Sequence, residues 1–236
     1  MSARAGNFER VRAKIAAACA VAGREPSEVE LVAVSKRHPA AAVAAALATG
    51  QRVFGENRVQ ELKVKASDFA GAEERGGETG GIQWHLIGPL QTNKVRDLLR
   101  VPGLALLHSC DRRKLADVLQ QELDQRGERL DVLLQVNTSG EEQKHGCTVD
   151  EAPALLSHLL ERCPALSVRG LMAMGPLQGS ARQVFDRTAA LRDDLRSRSG
   201  LGLETLSMGM SGDLGDAIAA GSTMVRVGTA LFGPRD

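Results

Sequence analysis

The chain has 236 residues, 43% hydrophobic, 25% charged and 3% aromatic, with five Phe, one Trp and no Tyr. This composition excludes collagen-like, disordered and disulfide-scaffold classes, and the length allows one large domain or two small ones. Thirty basic against 29 acidic residues leave a net charge of +1, which carries no electrostatic footprint for nucleic acid or an acidic membrane.

Near the N-terminus, Arg4, Arg10, Arg12 and Lys14 accompany the small apolar run Ile15–Ala22, a pattern shared with signal peptides. Phe8, Val11, Ile15, Cys19 and Ala22 fall at helical spacing, which predicts an amphipathic helix instead. β-rich runs then recur, each leading into a helical pattern. Val29–Lys36 precedes the alanine-rich Pro39–Thr49, with Pro at a favoured helix start. That alanine-rich stretch is too short to span a bilayer. Arg52–Asn57 precedes Val59–Ser67, and the Gly- and Glu-rich Gly71–Gly81 reads as a mobile loop. Ile82–Gly88 precedes Leu90–Arg100. Leu104–Cys110 precedes Arg112–Arg126, which Asp111 is placed to cap. Leu130–Asn137 precedes the polar loop Thr138–Gly146 and a helix near Val149–Arg162. Ser167–Met174 precedes Ser180–Ser199, and Glu204–Ser211 precedes Leu214–Ala220. Met224–Thr229 is the last run, and the tail Leu231–Asp236 is too short for a full helix.

Alternating strands and helices imply a parallel sheet, with several strands apolar on both faces as a helix-covered sheet requires. An open doubly wound sheet satisfies the same alternation. Eight units in about 200 residues favour a closed α/β barrel, the (β/α)8 TIM fold, as a single domain over 1–236 with an extra N-terminal helix. The cysteines Cys19, Cys110, Cys147 and Cys163 form no C-x-x-C pair. Scattered thiols predict neither a redox motif nor a metal site, and they fit a reducing cytoplasm.

In such a barrel, function lies at the C-terminal strand ends. Lys36 is a lysine at one of them, where desolvation lowers an amine's pKa and makes it nucleophilic toward aldehydes. A solvated loop lysine is the plainer reading of the same position. The last two strands end in Ser207-Met208-Gly209-Met210-Ser211-Gly212-Asp213 and Arg226-Val227-Gly228-Thr229, the usual place for a phosphate site. Ordinary turn chemistry uses the same residues. Strand alternation puts Arg226 on the face of Gly228; an inward Arg needs a polar partner, Asp213, Asp216 or a ligand atom. A nucleophilic lysine opposite a phosphate pocket describes a site for a phosphorylated aldehyde: pyridoxal phosphate, or the sugar phosphate of a Schiff-base aldolase.

The stretches LVAVSK (31–36), FGENRVQE (54–61), WHLIGPLQTNK (84–94), RGLMAMG (169–175), LSMGMSGD (206–213) and AIAAGSTMVRVGTALFG (217–233) resemble the pyridoxal phosphate homeostasis proteins. The resemblance implies a barrel like the N-terminal domain of alanine racemase. It implies pyridoxal 5′-phosphate held as a Schiff base on Lys36, phosphate contacts around Ser211, Gly228 and Thr229, and Arg226 facing the pyridine nitrogen. Asn57 is placed near the cofactor, with Ser207 and Met210 as neighbours. A racemase of this type also uses a tyrosine from a second domain and a histidine after the sixth strand. This chain has no Tyr and reads Met172-Ala173-Met174 there, leaving only His85 or Cys110 as substitutes. The expectation is therefore a non-catalytic, monomeric cofactor carrier that serves pyridoxal-phosphate-dependent apoenzymes, rather than a weak racemase or decarboxylase. The loop 138–146, with Glu141, Glu142, Lys144 and His145, reads as a solvated charged loop, or else as a lid or docking surface.

Overall fold

A computed structural model describes residues 3–73 and 81–234. Eight parallel strands close into a barrel in sequence order, β1 (Glu30–Val34), β2 (Val53–Glu56), β3 (Gln83–Leu86), β4 (Leu104–Cys110), β5 (Leu130–Gln135), β6 (Leu166–Met172), β7 (Thr205–Ser207) and β8 (Met224–Val227), with β8 returning to β1. Closure removes both sheet edges, which an open sheet would have left unpaired.

Alternation separates two cores. Leu31 and Ala33 face the helices, while Val32 between them packs inward with Val53, Leu106, Leu133, Met172 and Met224. The outer layer packs against α2 (Ala40–Leu47), α3 (Val59–Glu73), α4 (Val95–Leu98), α5 (Arg113–Asp124), α6 (Ala152–Arg162), α7 (Ala181–Ser199) and α8 (Leu214–Ala219). The four-residue α9 (Thr229–Phe232) follows β8. The predicted N-terminal helix is α1 (Ala3–Val21), and its stripe Phe8, Val11, Ile15 and Cys19 is buried. It packs on α2, α8 and α9, with Phe8 edge-on to Phe232 at 5.9 Å. Arg24 fastens its end through the Ser222 carbonyl at 2.7 Å. Among the described residues, no helix is long and apolar enough to cross a membrane.

Several expected boundaries move. β1 stops at Val34, so Lys36 lies in the turn beyond the strand rather than at its end. β7 stops at Ser207, leaving Met210 and Ser211 in a loop. The helix expected over Leu90–Arg100 shrinks to a 3-10 turn, Thr92–Lys94, and α4. Its start stays extended because Arg112 holds the Leu90 carbonyl at 2.7 Å, and Pro102 disfavours helix at the residue before it. Asp111 does not cap α5: Arg112 occupies the N-cap and pairs with the Asp111 carboxylate. α6 begins at Ala152 because Thr148 and Glu151 exchange side-chain and backbone hydrogen bonds just before it. α3 runs through Glu73, beyond the expected loop start, and the rest of that loop, 74–80, lies outside the described residues.

Candidate functional site

The turn that carries Lys36 is held from outside the barrel. The Lys65 ammonium, buried on α3, donates to the Ser35 carbonyl at 2.7 Å, to Glu56 Oε1 at 2.6 Å and to Glu61 Oε1 at 2.8 Å. Glu61 and Lys65 share a helix face because they are four residues apart. Ser35 Oγ donates to the same Glu56 oxygen at 2.6 Å. The Arg37 N–H donates to Glu61, which fixes Arg37 at φ 62°, a left-handed conformation uncommon outside glycine. Burial raises the Glu56 pKa, while hydrogen bonds from Lys65 and Ser35 pull it back.

Arg226 points into the barrel, as strand alternation requires. Its hydrogen bonds go to Ser207 Oγ at 2.6 Å and to the Ala173 carbonyl at 2.9 Å, not to Asp213 or Asp216. Asp213 acts on it only as a nearby charge and uses its own Oδ1 to accept from the Met210 N–H. A guanidinium only donates, so the Ser207 hydroxyl must send its proton elsewhere. His108 Nδ1 lies 3.0 Å away and accepts it. His108 therefore carries its hydrogen on Nε2 and donates to His85 Nδ1 at 3.1 Å. The donor-only arginine thus sets the tautomer of both imidazoles. Burial lowers the His85 pKa to about 4. Burial, then the charges of His85 and Arg226, lowers that of His108 well below its usual value. Both rings are neutral near pH 7. Burial brings Arg226 down to about 10, which leaves it cationic.

These two networks flank a cavity of about 310 Å³ at the C-terminal strand ends. Lys36, Asn57, Met210, Ser211, Arg226, Gly228 and Thr229 all line it. Ser207, the remaining residue singled out from sequence, stands behind Arg226 as its acceptor. Two glycines shape the walls. A Cβ on Gly88 would lie 2.2 Å from the Asn57 carbonyl oxygen, so only glycine lets the loop after β3 press on Asn57. Gly209 has φ +96°, and its Cβ would lie 2.5 Å from that of Ala217. Gly212, from the expected phosphate segment, lines it as well, and so do Val34, Ile87, Met172 and Met174, to which the sequence assigns no place in the site. Their type signals core or turn, and only their place beside the strand ends pointed to the site.

The substitutes for a catalytic acid or base fare poorly. His85 is tied into the barrel interior, and burial pushes the Cys110 thiol far up. The loop 138–146 is less solvated than expected. Lys144 is nearly buried, pairs with Glu141 and donates to the Gly175 carbonyl at 2.6 Å, and Glu141 accepts from the Leu177 N–H. Away from the cavity, Asp117, His158 and Cys163 bring potential metal-ligand atoms within 4.8 Å of one another. His158 and Asp117 are already hydrogen-bonded there at 2.6 Å.

Comparison with known proteins agrees with this fold. The family model "Alanine racemase, N-terminal domain" matches residues 7–236. A pyridoxal phosphate homeostasis protein of Pseudomonas aeruginosa is 45% identical over 239 residues, covering 100% of this chain and 97% of its own. One from Escherichia coli (strain K12) is 44% identical over 235 residues, covering 98% and 97%. The solved structure of PipY from Synechococcus elongatus PCC7942 with PLP bound superposes with a TM-score of 0.78 at 35% identity, covering 93% of this chain and 100% of PipY. Fold and site thus define a barrel of the alanine racemase N-terminal-domain class. Within that class, the chain belongs to the pyridoxal phosphate homeostasis protein family.

Proposed function

We propose that this chain binds pyridoxal 5′-phosphate, holds its aldehyde as a Schiff base on Lys36, and passes the cofactor to apoenzymes that depend on it. The carrying observation is the convergence of an amine, a donor-only guanidinium and two Ser/Thr–Gly segments on one cavity. The fit has a second support. Asn57 Oδ1 is buried without a hydrogen-bond partner, and Asn57 lines the cavity. Leaving such an acceptor unpaired costs about 1–3 kcal/mol, which a polar ligand relieves.

Pyridoxal phosphate supplies an aldehyde for amine capture and a ring that accepts electrons. Lys36 is the amine, held in place by the clamp on Ser35 and Arg37. Ser211, Gly228 and Thr229 are the phosphate cup, where hydroxyl and backbone donors suit an anion. Arg226 is assigned to the ring nitrogen. Because it donates and cannot accept, a nitrogen against it stays unprotonated, and the ring stabilises a carbanion poorly.

A holding role without turnover agrees with this chemistry. The relatives are named for homeostasis rather than for a reaction. A tyrosine acid or base cannot come from within these 236 residues. Four buried free thiols support a cytoplasmic setting, and the chain is expected to act as a monomer. The test is transfer. Purified protein loaded with pyridoxal phosphate should activate an apo-transaminase faster than release into solution allows. Activation no faster than free release would remove the delivery role, and α-proton exchange of amino acids in deuterated water would indicate an enzyme instead.

A further inference from the structure

A second and larger concavity, about 850 Å³, opens beside the cofactor cavity, and Asn57 lines both. Two of the stretches that carry the family resemblance build it. Arg58 and Gln60 come from 54–61, and Gln91 and Lys94 come from 84–94. These side chains do not line the Lys36 cavity, so the proposed function leaves them without a role.

The groove is one-sided in charge. Arg58, Lys94 and Arg112 line it against one carboxylate, Asp111, which is already paired with Arg112. Arg112 is fixed in the wall by its second bond to the Leu90 carbonyl at 2.7 Å. The side chains of Arg58 and Lys94 make no hydrogen bond or salt bridge among the described residues. Nearby Asp97 accepts from Lys63 at 3.1 Å, and Lys94 acts on it only as a neighbouring charge. The floor is apolar, with Val59 and Leu90 buried, and the amides of Gln60 and Gln91 stand at the rim. Cations, orienting amides and an apolar floor in a concavity of this size suit a small organic anion.

We propose that this groove is a second ligand site, for an organic anion with an apolar body and a phosphate or carboxylate head. It is separate from the Lys36 cavity and does not rest on the assignment made there. Phenyl phosphate and benzoate are suitable probes, because they share the apolar body and differ in the head group. Titration calorimetry on the full chain should show binding of at least one of them, and the preferred probe identifies the head. Combining Arg58→Gln with Lys94→Gln should weaken that binding about ten-fold or more, since each removes a charge-assisted donor. Combining Ser211→Ala with Thr229→Ala should change it less than about two-fold. Unaltered melting of the first pair keeps loss of folding out of the result. Binding of neither probe, indifference to the first pair, or loss with the second pair would each overturn the proposal.

Discussion

The cavity is supported by two buried polar networks of opposite character. On the β1, β2 and α3 side, Ser35, Glu56, Glu61 and Lys65 form a charged clamp that fixes the backbone around Lys36. On the β3, β4, β7 and β8 side, His85, His108 and Ser207 form a neutral chain that fixes one side chain, Arg226. A charged clamp is rigid but fails badly if broken, because any ion left behind stays buried. A neutral chain is less costly to disturb, and its polarity is set from one end by the arginine.

The largest difference should appear on cutting each network once. Lys65→Met leaves Glu56 buried beside no cation and should cost about 3–5 kcal/mol in urea unfolding. Adding Glu56→Gln should recover much of that loss. A clamp worth under about 1 kcal/mol would make it an ordinary surface pair.

The networks should also respond to acid with opposite signs. The folded His85 pKa of about 4 lies below the unfolded value of 6.5. The unfolded chain therefore takes up the proton first, and stability is lost as pH falls from 6.5 toward 4, by roughly 3 kcal/mol for this group. Glu56 has a raised folded pKa, so the native state takes its proton first and acid favours folding through this group. Urea midpoints followed from neutral to acid pH should lose part of their slope in His85→Gln, His108 supplying the rest, and should steepen in Glu56→Gln. The reverse pattern would mean the assignments are exchanged.

Smaller effects sharpen the neutral chain. His108→Leu deprives the Ser207 hydroxyl of its acceptor and should cost about 1–3 kcal/mol, whereas His108→Asn keeps an acceptor near Nδ1 and should cost less. Equal losses would show that His108 acts by packing alone. In the cup, Ser211→Ala should weaken pyridoxal phosphate binding about ten-fold, the worth of one hydrogen bond to a charged group. Leu177, 72% exposed, lies outside both networks. Leu177→Ser should shift stability by no more than about 0.5 kcal/mol.

The sequence made the barrel legible because strand alternation and helix spacing are local signals. Phe8, Val11, Ile15 and Cys19 show this in α1, and Val32 between Leu31 and Ala33 shows it in β1. The lining of the candidate cavity was legible where position in the fold implies chemistry, at Lys36, Ser211, Arg226, Gly228 and Thr229. The supporting networks were hidden for a physical reason. Lys65 in QELKVK reads as a solvated helix charge, and only packing against β2 buries it on Glu56. His85 and His108 lie 23 residues apart, and only the pairing of β3 with β4 brings their tilted rings to 5.1 Å. Of the partners open to Arg226, neither carboxylate is used: a serine hydroxyl and a carbonyl take one N–H from each terminal nitrogen, and the remaining donors are left for a ligand.

Lys36 is the proposed anchor of the cofactor. Borohydride reduction of the protein loaded with pyridoxal phosphate, followed by peptide mass mapping, tests that anchor. A reduced pyridoxyl adduct on the peptide containing Lys36 is expected, together with loss of the visible absorption band in Lys36→Ala. An adduct on another lysine, or a band that survives Lys36→Ala, would contradict it.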